Sequence, residues 1–203
     1  VAIITTDKQM KPRAAHDHYR TDPRLVRASL DLLPPIARLK FIHDPGAGTG
    51  VWGSAARLMY PKSIIVGIDP YFNKPKDKSY SHWIKDDYEK FVSFPGHFGR
   101  PDSLPSLVMG NPPFSLAEEF IRCGLSMLAD GGYLLFLLRL AFLETKKRGD
   151  GLWKEFKPQS VHVLKQRPSF YANGSTDDTA YAIYIWKKNQ HPDCPKLYWL
   201  DWR

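Results

Sequence analysis

Asp44-Pro45-Gly46-Ala47-Gly48-Thr49-Gly50 decides the fold of this chain. Before it, Leu39 to Asp44 is an apolar run that ends on an acid and reads as a buried strand. After it, Val51 to Tyr60 reads as a helix. Strand, glycine loop and helix in that order form the unit with which open α/β sheets bind ligands. The glycines let the backbone turn tightly and let a ligand approach where a Cβ would stand.

The pattern continues outward in both directions. Upstream, Pro23 suits the first position of a helix capped by Asp22. Leu25, Val26, Ser29, Leu30 and Leu33 share one face of it, and Pro34-Pro35 ends it. Downstream, Ser63 to Asp69 is a continuous apolar strand of the kind found in parallel sheets covered on both faces. Trp83-Ile84, Leu107 to Gly110, Tyr133 to Leu140, Val161 to Leu164 and Ala180 to Trp186 supply further strands, and Phe94 to Leu104 reads as loop. Ser115 and Glu118 match a capping box before a helix buried through Phe120, Ile121, Leu125 and Leu128 and stopped by Gly131-Gly132. Strand–helix alternation followed by a strand pair predicts a doubly wound α/β sheet of seven strands, with an antiparallel member near one edge.

Composition narrows the function classes. Hydrophobic residues make up 43% of 203, enough for one well-cored domain. No apolar run approaches the roughly 20 residues that span a bilayer, and no signal-peptide pattern opens the chain. Two cysteines, Cys123 and Cys194, make no disulfide scaffold and predict reduced thiols in a cytoplasmic protein. A formal charge of +8 favours polyanionic partners.

The loop has two readings. Gly48-Thr49-Gly50-Val51-Trp52-Gly53 satisfies G-x-G-x-x-G, the dinucleotide fingerprint. Pro45-Gly46-Ala47, however, separates that fingerprint from the strand, and Asp44 would meet a pyrophosphate as a like charge. S-adenosylmethionine, with an ammonium, a carboxylate, a sulfonium and no phosphate, suits the acid better. A dinucleotide, or a glycine turn without a ligand, are the competing readings. Asp69 ends the second strand, where a carboxylate can accept hydrogen bonds from ribose hydroxyls.

Asn111-Pro112-Pro113-Phe114 follows the fourth strand. Each proline pushes the residue before it out of the helical region, and Pro113 has no N–H. The side-chain oxygen of Asn111 and the carbonyl of Pro112 can therefore face one small donor. An exocyclic amine has two N–H bonds to match, and Phe114 can lie on its ring at about 1–3 kcal/mol per stacked base. The bland alternative is an Asn-Pro turn.

Together these motifs resemble the adenine-N6 amino class of S-adenosylmethionine-dependent methyltransferases, a class I Rossmann-like fold. The glycine loop resembles the cofactor motif, Asp69-Pro70 the ribose-binding acid, Asp87-Tyr88 the third motif beside the cofactor adenine, and Asn111 to Phe114 the catalytic motif. Tyr19-Arg20-Thr21-Asp22-Pro23 resembles the segment that closes over the methionine end of the cofactor. Arg167-Pro168-Ser169-Phe170, with Thr179 to Ala182 and Trp186 beyond it, is similar to small phage and prophage members. The resemblance implies cofactor contacts at Tyr19, Thr21, Asp44, Gly46, Gly48, Gly50, Asp69, Pro70, Asp87, Tyr88 and Asn111. It implies catalysis by Asn111, Pro112 and Phe114, and methylation of adenine in DNA by base extrusion, without a covalent intermediate or a metal. RNA adenine and a protein glutamine amide are the alternative substrates; an inactive nucleic-acid-binding relative is the non-enzyme alternative.

Other residues follow from that expectation. Phe170 is the candidate for the second face of the extruded base, with Tyr171 behind it. Lys146, Lys147 and Arg148 follow a strand on the catalytic edge and are candidates for phosphate contact; Lys74, Lys76 and Lys78 are either a solvated loop or a second such edge. His16, His18 and His191-Pro192-Asp193-Cys194 read as surface. Leu197 to Trp202 either packs back on the sheet or makes a dimer contact, so a monomer or weak homodimer is expected, in a prokaryotic or phage-infected cell. No separate target-recognition domain is expected, which leaves the loops Tyr71–Tyr80, Thr145–Gly151 and Tyr171–Asp178 to read a short site.

Overall fold

In the computed structural model, which describes residues 20–36, 39–93, 104–170, 176 and 178–203, eight strands form one sheet. They are β1 (Phe41–Pro45), β2 (Ile64–Ile68), β3 (His82–Ile84), β4 (Leu107–Gly110), β5 (Tyr133–Arg139), β6 (Ser160–Leu164), β7 (Tyr181–Lys187) and β8 (Lys196–Leu200). Their order across the sheet is β3-β2-β1-β4-β5-β7-β6-β8. The sheet is wound outward in both directions from β1, which pairs in parallel with β2 and with β4. β7 runs against both of its neighbours, β5 and β6.

Side-chain alternation along the strands builds a core on each face. Leu135 and Leu137 of β5 face a cluster with Leu25, Val26 and Leu30 of α1 (Pro23–Leu30) and Trp52 and Ala56 of α2 (Val51–Met59). Leu134, Phe136 and Leu138 face the opposite cluster, with Ala117, Ile121 and Leu125 of α4 (Ala117–Met127). α3 (Tyr88–Ser93) packs beside α4, and the short helices α5 (Lys146–Asp150) and α6 (Leu152–Glu155) follow β5. Asp22 caps α1 as its sequence predicts, its carboxylate accepting from Arg24 N at 2.8 Å.

Four expectations need correction. The sheet has eight strands, not seven, because the tail pairs in parallel with β6 from Ser160↔Lys196 to Leu164↔Leu200. Ser115 does not cap α4. A 3₁₀ turn (Phe114–Leu116) intervenes, Leu116 is the N-cap without a side-chain hydrogen bond, and Glu118 pairs with Arg122 instead. That helix ends at Met127, where Leu128 turns extended, before the glycines are reached. α1 stops at Leu30, short of Leu33. The predicted loop Phe94–Leu104 lies outside the described residues except for Leu104.

Candidate active site

The carboxyl ends of β1, β2 and β4 meet at the glycine loop. Gly46, Gly48 and Gly50 all have positive φ, at 68°, 53° and 85°. Gly50 is the N-cap of α2, and a Cβ there would stand 2.5 Å from Pro75 Cγ, so both conformation and space require glycine. The loop is tied to β2. Gly46 N donates to Ile68 O at 2.9 Å, and Gly48 N donates to Asp69 Oδ2 at 2.9 Å. Asp69 Oδ1 accepts from the backbone of Tyr71 and of Phe72, each at 2.9 Å. Three backbone donors thus fix this buried carboxylate, which leaves one lone pair of roughly four for a ligand hydroxyl.

A cleft of about 350 Å³ opens over this loop. Thr21, Gly46, Gly48, Asp69, Pro70, Asp87, Tyr88 and Asn111 line it, so one concavity collects these eight sequence-predicted residues. Trp52, Phe120 and Cys123, which read as ordinary core in the sequence, line it as well, as do Tyr71 and Phe72 from the loop expected to read the target site. Its acids are Asp69, Asp87, Glu89 and Glu119, against Arg20 and Lys90. The Tyr88 ring is buried, and its hydroxyl has no hydrogen-bond partner among the described residues.

Asp44 and Gly50 stand behind the cleft wall. Asp44 is fully buried; its Oδ2 accepts a short hydrogen bond from Tyr80 Oη, and Tyr80 Oη accepts from Gly53 N at 3.0 Å. Its Oδ1 is buried without a partner among the described residues. Burial pushes the Asp44 carboxyl up to about 7, against the stabilising hydrogen bond from Tyr80. Next to it on β1, burial holds His43 neutral, down to about 3.

The Asn111–Leu116 turn forms the other wall. Asn111 Nδ2 donates to Thr21 Oγ1 at 3.4 Å, and Trp52 Nε1 donates to the same oxygen at 3.3 Å. Thr21 thereby holds one prong of the Asn111 amide from a position 90 residues away in the chain. Pro112 is buried within the turn, and Phe114 is on its far side. Phe114 lines a second cleft, of about 300 Å³, with Ser115, Ala117, Leu138, Arg139, Ala141, Phe142 and Arg148. The Arg139 guanidinium lies 4.8 Å from the Phe114 ring centroid, and Arg148 lies 4.4 Å from that of Phe142. Among the described residues this second cleft contains two arginines and no acid. One turn therefore separates an acid-rich cleft from a basic one.

Phe170 is buried edge-on against Tyr181 at 5.0 Å, and Tyr181 is 5.7 Å from Phe114, so Phe170 is one ring removed from the turn. Lys146 and Lys147 are exposed at the start of α5. Arg148 is folded back, with Nη1 donating to the carbonyls of Phe142 and Glu144 at 3.4 and 3.0 Å. Tyr19 and Tyr171, with His16 and His18, lie outside the described residues.

No protein-family model and no curated protein matches the chain. Solved structures do. A protein from Listeria monocytogenes described as a class I S-adenosylmethionine-dependent methyltransferase superposes with a TM-score of 0.56 at 15% identity, over 88% of this chain and 62% of that one. The methyltransferase subunit of a type I restriction-modification system from Streptococcus thermophilus gives 0.63 at 14%, over 85% of this chain and 45% of that one. The M protein of the type I restriction enzyme EcoKI gives 0.61 at 15%, over 89% and 48%. The chain thus spans less than two thirds of the length of these three, and it shares with them the mostly parallel sheet with one reversed strand.

Proposed function

On this class I methyltransferase fold, we propose that the protein transfers a methyl group from S-adenosylmethionine to the exocyclic amine of adenine in DNA. The observation that carries the reading is the turn Asn111–Leu116, with a cleft of opposite charge on either side. A cationic cofactor suits the acid-rich cleft, and a polyanionic substrate suits the basic one. The cleft over the glycine loop falls within the size range of small-molecule sites, about 300–1,000 Å³. The orphaned Tyr88 hydroxyl, on the cleft lining, is a buried polar group of the kind a ligand completes.

Gly46, Gly48, Asp69, Asp87 and Tyr88 would hold the cofactor, which supplies a methyl group already activated on a sulfonium. The protein supplies alignment and electrostatics. Thr21 fixes the Asn111 amide through Nδ2, so Oδ1 and the Pro112 carbonyl are the acceptors for the two N–H bonds of the amine. Accepting both favours a pyramidal nitrogen and opposes the positive charge that grows on it. The surplus proton leaves to water. Adenine must be out of its stack to reach the turn.

The test is incubation with methyl-labelled cofactor and unmethylated DNA, RNA and protein, followed by digestion. N6-methyladenine from DNA is expected; label in RNA or in glutamine reassigns the substrate, and label in none removes the activity. Asn111→Ala is expected to lower turnover about 100-fold or more, as for the loss of one preorganised group, with cofactor affinity by calorimetry nearly unchanged. Turnover at the wild-type rate in that variant would remove the amine clamp.

A further inference from the structure

Arg139 ends β5 and has no assigned task. Its Nε is buried without a partner, and neither a carboxylate nor a carbonyl pairs with its guanidinium among the described residues. Such a group is unusual, because a half-buried guanidinium is normally hydrogen-bonded. Its one described contact is the face of Phe114, at 4.8 Å. Arg148, across the same cleft, is by contrast held by two backbone carbonyls. The ring of Phe114 is flanked by Tyr181, tilted by 41° at 5.7 Å, as well as by Arg139. Of these two neighbours, Tyr181 is a buried core residue in the β5–β7 ladder, and Arg139 is a long, otherwise unattached arm. A base stacked on the face of Phe114 that Arg139 covers would have to take the place of the guanidinium.

We propose that Arg139 is the anion receptor of the basic cleft: it covers Phe114 in the free protein and, when the target base arrives, moves to a phosphodiester group adjoining that base. The exchange replaces a cation–π contact with a charge-assisted, forked hydrogen bond, the stronger of the two. It also provides a partner for donors that now have none. The inference rests on the nucleic-acid reading of the second cleft, but not on methyl transfer.

Binding of a labelled single-stranded oligothymidylate with one central adenine, followed by anisotropy, tests it. Each phosphate flanking the adenine is replaced in turn by an uncharged methylphosphonate. Wild-type protein is expected to lose affinity about tenfold or more at one of the two positions, the scale of a charge-assisted hydrogen bond. Arg139→Gln should bind the natural strand comparably weakly and be indifferent to the replacement. Its slope of log K against log salt should be shallower by about 0.7, the value for one phosphate on a single strand. Arg139→Lys should restore the slope and only part of the affinity. Equal responses of wild type and Arg139→Gln to the methylphosphonates, with folding of the variant verified by circular dichroism, would overturn the proposal. That result alongside intact methylation of DNA overturns this inference alone. A phosphate response that depends on Arg139, without methylation, supports it and overturns the activity. The same response on an oligouridylate strand with one adenine supports it and moves the substrate to RNA. No binding to either strand overturns both.

Discussion

Asp44 is a residue whose charge is set by where the chain folds it. As a strand-ending acid before a glycine loop it reads as an anion for a cationic ligand; in the folded protein it is sealed under the loop with Tyr80, and burial pushes it up to about 7. Between its ordinary value of 3.8 and that value, the native state holds a proton that the unfolded chain has lost. The carboxyl therefore stabilises the fold as pH falls through this window and weakens it as pH rises. Burial of His43, lowered from 6.5 to about 3, acts in the opposite sense, since the unfolded chain takes up a proton that the native state refuses. The two slopes oppose each other on adjacent residues. Asp44→Asn removes one of them: urea unfolding at a series of pH values is expected to show the variant gaining on wild type by about 1.4 kcal/mol per pH unit between about 4 and 7. A parallel pair of curves would show that Asp44 stays ionised. Asp69 is different. Its position is legible in the sequence, but its three bonds to Gly48, Tyr71 and Phe72 are contacts that spacing cannot display. Asp69→Ala is expected to cost about 1–3 kcal/mol in cofactor affinity by calorimetry. It should also lower stability, because the loop loses its tie to β2; unchanged affinity would take Asp69 out of the site. Arg139 gives one signal in sequence, a charge closing an apolar strand, and its stacking on Phe114 emerges only once β5 lies beside β4.

Elements are legible where periodicity and flanking residues agree. The first two strands, α2 and the turn at Asn111 come within a residue or two of their predicted bounds, because a buried parallel strand and a glycine loop each leave a local mark. The start of α4 departs from expectation for a physical reason. Ser115 and Glu118 have the spacing of a capping box, but Leu116 N donates to Pro113 O at 2.9 Å, and that 3₁₀ turn consumes the residues a box would use. The fit of α2 against the rest is invisible in sequence as well. A Cβ on Gly53 would stand 2.1 Å from Tyr80 Cζ and 2.4 Å from its hydroxyl. Gly53→Ala should therefore force Tyr80 away from Asp44 and cost about 1–3 kcal/mol by urea denaturation, the usual penalty of overpacking. A neutral result would mean that Tyr80 has room to move and that its bond to Asp44 is dispensable.

At the scale of the whole molecule the doubly wound order is readable, and the eighth strand is not. Lys196–Leu200 is a short, mostly apolar run without the alternation of a half-buried strand, and it pairs with β6 only through a contact made at long range. The residues beyond that strand matter more for stability. Trp202 is 5% exposed, packs into the α1–α2 side of the core and donates Nε1 to Gln166 O at 2.9 Å. Trp202→Ala is expected to lower stability by about 3–5 kcal/mol, whereas Trp199→Ala, at a side chain 63% exposed, should change it little; equal effects in thermal unfolding would mean that the tail does not dock as described. The reversal of β7 has a consequence of its own. Among strands that finish at the glycine-loop end of the sheet, β1, β2 and β4 hand the chain to elements that wall the cleft over that loop. β6 instead hands it to β7, which returns directly down the sheet, so the connection from Leu164 to Tyr181 begins and ends on two strands clamped by their own ladder. Lengthening such a connection past Phe170 is cheap, about 0.6 kcal/mol for each doubling, and leaves the core contacts of Phe170 and the carbonyl that receives Trp202 in place. A change of length there is the alteration of this edge that reaches the turn at Asn111 with least disturbance of the strands that carry it.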